Sequence, residues 1–182
     1  MLEPMTSSNN LLNKLTGGDR RSIGESNEVV ALVLRQPALF PQLMAGLGHS
    51  DRLIRMRAAD AAEKVTLQRP DLLQPFRAML LRLLGEATEQ ELRWHLAQMI
   101  PRLRLSKNDR MRAASVLQLY LRDQSSIVKA STMQAMVDLA SADEELMPEV
   151  TQLLTKLTGT GTAAMRARGR KLLWQLDRNR LG

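Results

Sequence analysis

The strongest constraint on this chain is a spacing that it repeats. The stretch Asp51 to Val65, DRLIRMRAADAAEKV, places an aliphatic residue before a base and then small or apolar residues three and four positions further on. Its stripe is Ile54, Ala58, Ala61, Ala62 and Val65, and its base is Arg55. The same places are held by Leu92, Arg93, Leu96, Met99, Ile100 and Leu103, and again by Val128, Lys129, Thr132, Ala135, Met136 and Leu139. The fourth copy is Met165, Arg166, Gly169, Leu172, Leu173 and Leu176. From Arg55 to Arg93, Lys129 and Arg166 the steps are 38, 36 and 37 residues. A helical period returning at that separation is the signature of stacked helical pairs, each with one apolar face that a neighbour must cover.

The intervening sequence supplies the partner helices. Ser26 is placed to cap a helix that ends near Arg35, because Pro37 disfavours helical geometry at Gln36. A short helix from Phe40 to Leu47 precedes the first copy, and a helix opening at Pro70 precedes the second. Thr88 with Glu91, and Ser141 with Glu144, have the spacing of capping boxes. Pro101 should kink or shorten the second copy. A helix from about Ser106 to Arg122 pairs with one from Ser125 to Ala140, and Thr162 caps the last helix after the GTGT turn. Each helix has a single apolar stripe, so at this length none is stable alone in water. The expected fold is all-α: an α-α superhelix, or solenoid, of about four helical hairpins plus an N-terminal helix. Residues 1–25 read as a flexible segment and loop, and residues 26–182 as a single repeat domain.

Composition narrows the classes of chemistry. Cysteine is absent, which removes disulfides, thiolate catalysis and cysteine-ligated metal. No apolar run is long enough to span a bilayer, and the first ten residues, MLEPMTSSNN, lack the basic and apolar regions of a secretory signal, so a cytoplasmic protein is expected. The net charge of +7 is concentrated late in the chain. Residues 102 to 122 carry Arg102, Arg104, Lys107, Arg110, Arg112 and Arg122 against Asp109 alone. Residues 164 to 180 carry Arg166, Arg168, Arg170, Lys171, Arg178 and Arg180 against Asp177. His49 and His95 have no carboxylate at metal-ligand spacing, and no Gly-rich phosphate loop is present, so neither a metal, a cofactor nor a catalytic residue is expected.

A polar turn followed by aliphatic residue, base and small residues at helical spacing resembles the second helix of a HEAT repeat, over roughly Leu39 to Leu176. Lys129 stands where the family has arginine, and Gly169 where it usually has alanine. The resemblance implies a scaffold that binds partners on a concave face lined by second helices. It also admits a less favoured analogy, the DNA alkylation repair glycosylases, which need an aromatic-lined cleft with a carboxylate; Trp94, Trp174 and Asp138 are the residues available for one.

The candidate binding residues follow. Arg55, Arg93, Lys129 and Arg166, with Trp94 beside Arg93, are the expected concave face for a protein partner. The structural alternative is that each in-phase base bonds to loop carbonyls or to an acid of an adjacent repeat. Bases outside the pattern, Arg52, Arg57, Arg168, Arg170 and Lys171, are therefore the better signs of binding. Arg166, Arg168, Arg170 and Lys171 form the candidate nucleic-acid surface, since closely set cations displace counterions from phosphates. The segment Gly17 to Arg21 is a weaker candidate for an anion-binding turn. No membrane partner is expected.

Overall fold

The computed structural model describes residues 8–17 and 25–181. Among these residues every regular element is helical: ten α-helices joined by turns, four of the connections being 3-10 helical. No helix there is long and apolar enough to cross a membrane. The chain divides into two compact units, Met1–Arg77 and Ala78–Gly182.

The N-terminal unit contains α1 (Ser8–Asn13), α2 (Ser26–Arg35), α3 (Phe40–Ala45) and α4 (Arg52–Gln68). Helix α4 is its centre, packed by α2, by α3, by the Gly46–Gly48 turn and by the 3-10 segment Pro70–Phe76. The expected stripe Ile54, Ala58, Ala61, Ala62 and Val65 is buried, but so are Arg57, Ala59, Glu63 and Thr66. A helix covered on several sides needs small side chains, and the four alanines let its neighbours approach closely. At Gly46 the approach is tightest: a Cβ there would lie 2.7 Å from the Ala58 Cβ. The rings of Phe40 and Phe76 meet edge-on with centroids 5.7 Å apart, closing the far end of the same core.

Arg57 departs most from its expected role. As a base outside the pattern it was a sign of binding; instead its side chain is 1% exposed. One guanidinium nitrogen, Nη1, donates to the carbonyls of Leu15, Thr16 and Gly17 at 2.8, 3.2 and 2.6 Å. A buried guanidinium is tolerable only with its donors satisfied, and these carbonyls follow a helix end that needs donors. Leu11 and Leu15 are buried alongside.

The C-terminal unit contains α5 (Arg77–Glu86, which opens one residue before the boundary), α6 (Gln90–Met99), α7 (Lys107–Tyr120), α8 (Ser126–Ser141), α9 (Met147–Thr160) and α10 (Ala163–Leu181). Helix α8 is packed by α6, α7, α9 and α10. Its expected stripe of Val128, Thr132, Ala135, Met136 and Leu139 is buried, together with Met133, Val137 and Ala140. Eight of its sixteen residues are buried, a wider face than one stripe, as a helix packed by four others requires. Gly169 leaves room for α9: a Cβ there would lie 2.5 Å from the Thr158 hydroxyl oxygen. Arg110 Nε pairs with Asp143 at 2.9 Å, joining α7 to the turn after α8. The Lys107–Glu145 pair at 2.6 Å is exposed at both ends and adds little.

Several helix starts differ from expectation. Asp51, Ser106, Ser125 and Thr162 do accept first-turn amides, from Leu53, Asp109, Val128 and Met165. Ser26, however, lies inside α2, with its hydroxyl buried and lacking a hydrogen-bond partner. The capping box at Thr88 does not form, since α6 starts at Gln90 after Glu89 without a side-chain cap. Ser141 is the last residue of α8 and donates to the Val137 carbonyl at 2.9 Å, while α9 opens only at Met147. A serine near a helix end can serve its own last turn as readily as the next first turn, and packing decides which. Pro70 opens a 3-10 helix instead of an α-helix, with Pro75 inside it lacking the amide an α-helix would use.

Candidate interaction surface of the C-terminal unit

The in-phase bases have different surroundings. In the N-terminal unit, Arg55 Nη1 donates to the His49 and Ser50 carbonyls at 2.5 and 2.8 Å, which closes the turn before α4. In the C-terminal unit, Arg93 Nε donates to the Ala87 carbonyl at 2.8 Å and Nη1 to Asp123 Oδ2 at 2.7 Å. The same guanidinium lies 5.0 Å from the centre of the Tyr120 ring. Loop carbonyls thus hold Arg55, while Arg93 holds both a carbonyl and an acid of the following hairpin.

The group around Arg93 is buried and polar. Asp123 also accepts from the Ser125 amide at 2.8 Å. Burial alone would raise the Asp123 carboxyl, but the Ser125 amide and the Arg93 guanidinium outweigh it and hold the group below the ordinary carboxylate value. Tyr120 donates its hydroxyl to the Leu84 carbonyl at 2.5 Å. Withdrawal from water pushes its phenol up to about 12. Neither Tyr120 nor Asp123 was singled out in the sequence, although Asp123 stands in the turn that precedes a second helix, where an acid can reach the previous base.

Lys129 occupies the matching position one hairpin later. The connection before α10 is Gly161-Thr162, and neither it nor Gly159 and Thr160 at the end of α9 offers an acid. Lys129 donates its backbone amide to the Ser125 carbonyl at 3.2 Å, but among the described residues its ammonium has no hydrogen bond or ion pair. It lines a cavity of about 250 Å³ together with Gln124, Ser126, Met133, Thr162 and Arg168. Arg168 Nη2 donates to Gln134 Oε1 at 2.8 Å, and Gln134 Nε2 to Asp138 Oδ1 at 2.8 Å. The Nε of Arg168 is buried without a hydrogen-bond partner. Although Asp138 as a residue is exposed, shielding of its carboxyl from water raises its pKa, against the opposing effects of Gln134, Arg168 and Arg102.

The outer side of α10 carries a second arrangement. Arg166, Arg170, Trp174 and Arg178 follow one another at four-residue spacing, and all four are exposed. Such residues form one ridge of a helix. Trp174 is 60% exposed, with the Arg178 guanidinium 4.7 Å from its ring centre. Lys171 is exposed beside the ridge, while Met165, Gly169, Leu172 and Leu176 turn toward the core. Among the described residues no carboxylate pairs with Arg166, Arg170 or Lys171.

The remaining candidates are dispersed. Trp94 is half-buried, its ring centre 4.8 Å from that of His95. Arg52 is half-buried in the N-terminal unit. Of the Gly17 to Arg21 turn only Gly17 falls within the described residues. A larger groove of about 610 Å³ between α5 and α7 contains Arg82, Asp109 and Arg112, and Arg82 is already paired with Glu86 at 2.6 Å. Among the described residues no three histidines, aspartates or glutamates are grouped to hold a metal ion. No protein-family model, curated protein or solved structure matches this chain.

Proposed function

We propose that this chain is a non-enzymatic interaction module, a short stack of HEAT-like hairpins that binds an acidic protein partner through the C-terminal unit. The observation that carries this reading is the α10 ridge, on which a widely exposed tryptophan stands in line with three cations. A large flat aromatic ringed by arginines is the composition of an interface hot spot. Leaving it in water has no structural benefit, whereas covering it with an acidic surface would desolvate the ring and answer the charges. The packing of α6 on α8 and of α8 on α10 supports the repeat assignment, because it sets successive second helices side by side. On the expected concave face, Lys129 and Arg166 are available for contact, while Arg55 and Arg93 act first as braces.

The ridge also favours a second reading, nucleic-acid binding through Arg166, Arg168, Arg170 and Lys171, with Trp174 as a stacking surface. Affinity capture from cell extract, followed by titration of labelled single-stranded and duplex oligonucleotides at several salt concentrations, separates the two. The first reading expects an acidic protein captured by the wild type and lost with Trp174→Ala or Arg170→Glu, both exposed positions that leave the fold intact. Capture unchanged in both variants would remove the ridge as the partner surface. Oligonucleotide binding that weakens steeply with salt would establish the second reading in its place.

A further inference from the structure

We propose that the cavity between α8 and the start of α10 is a binding site for a phosphate group, held by Lys129 and Arg168. The argument starts from the preceding hairpin. There the in-phase base, Arg93, is answered by Asp123 at 2.7 Å. One hairpin later the base is retained as Lys129 and the acid is gone, for the end of α9 and the connection to α10, Gly159 to Thr162, contain only glycine and threonine. Thr162 of this stretch lines, with Lys129, the cavity of about 250 Å³.

The lining has the chemistry of an anion site. Two cations on different helices, Lys129 of α8 and Arg168 of α10, line the cavity, and no carboxylate does. Ser126 and Thr162 add hydroxyls and Gln124 an amide, all able to donate to oxygen. Within the Arg168 guanidinium, Nη2 is committed to Gln134 and Nε is buried without a hydrogen-bond partner. The acid whose field reaches Lys129 is Asp123, and its two oxygens are already occupied by Arg93 and the Ser125 amide. A tetrahedral oxyanion with several acceptor oxygens answers the ammonium and the guanidinium charge that line this cavity. The volume falls below the range usual for drug-sized ligands, which selects a small anionic group over an extended molecule. That group can arrive as free inorganic phosphate or as the phosphate of a modified serine on a partner. The inference does not depend on the α10 ridge, whose exposed residues lie outside the cavity.

The test is calorimetric titration of the full chain at low ionic strength with inorganic phosphate, with a phosphoserine peptide and with the same peptide unmodified. Saturable binding of either phosphate probe is expected, weakened at least tenfold by Lys129→Met and by Arg168→Met. Lys156→Met removes one exposed charge from α9 and is expected to leave binding within twofold. A folding defect is controlled by Thr162→Asp, which keeps a capping side chain at that position and restores the missing carboxylate; it should abolish phosphate binding and raise the melting temperature. Tighter binding of the phosphopeptide than of phosphate identifies a modified side chain as the source, and equal binding identifies the free ion. Absence of binding by both, or equal weakening by Lys156→Met and Lys129→Met, overturns the proposal.

Discussion

Tyr120 offers the sharpest test of the packing in the C-terminal unit, because it is the one tyrosine in the chain. Its phenol is buried at 5% exposure and donates to the Leu84 carbonyl at 2.5 Å. Its pKa stands at about 12 in the fold against an ordinary 10.0. The sign follows from linkage. The unfolded chain loses the phenolic proton first, so the contribution is fully present below pH 10 and is lost as pH rises through 12. By pH 11 the loss is about 1.4 kcal/mol, the equivalent of a tenfold ratio. Tyr120→Phe removes the hydrogen bond and strands the carbonyl, which costs about 1 to 2 kcal/mol at neutral pH. Wild type should therefore exceed Tyr120→Phe by that amount at neutral pH and match it near pH 11. Phenolate absorbance reads Tyr120 alone and should show its midpoint near 12 in the folded protein and near 10 in denaturant. A midpoint near 10 in the folded protein would refute both the burial and the linkage.

Other perturbations test other elements. Arg57→Met leaves the carbonyls of Leu15, Thr16 and Gly17 without this donor and should lower the stability of the N-terminal unit by about 1 to 3 kcal/mol in urea unfolding; a loss under about 0.5 kcal/mol would show that water replaces the guanidinium easily. Gly169→Ala forces a Cβ to within 2.5 Å of the Thr158 hydroxyl and should destabilise by about 1 to 2 kcal/mol despite the better helix propensity of alanine. Gly85→Ala, with nothing within 4 Å, should stabilise by up to about 1 kcal/mol, and thermal melts giving both changes the same sign would refute the steric account. The depressed pKa of Asp123 makes its contribution present above the ordinary carboxylate value and lost as pH falls through the folded one. Asp123→Asn should accordingly flatten the acid limb of the stability profile, and a double-mutant cycle with Arg93→Met should show a coupling of about 1 to 3 kcal/mol; additive losses would mean that the pair does not act together.

Much of the helical arrangement was legible in the residues because a helix repeats its faces every few positions. The stripes led by Ile54, Leu92, Val128 and Met165 are turned inward, and the four-residue spacing of Arg166, Arg170, Trp174 and Arg178 stands in the sequence as well, although there Trp174 enters only as a candidate for an aromatic-lined cleft. Periodicity says which face a residue is on, and nothing about what stands opposite. Arg55, Arg93 and Lys129 are the same kind of residue in the same phase. Only the tertiary structure distinguishes them, since their partners are, in turn, two nearby carbonyls, an acid thirty residues ahead, and among the described residues none. Arg57 shows the same limit from the other side: read in the sequence as a sign of binding, it receives three carbonyls from a segment some forty residues earlier in the chain. Long side chains reach across turns, so their roles depend on which turn packs against which helix. That pairing is a property of the folded chain, set by volumes such as those at Gly46 and Gly169, and no local pattern contains it.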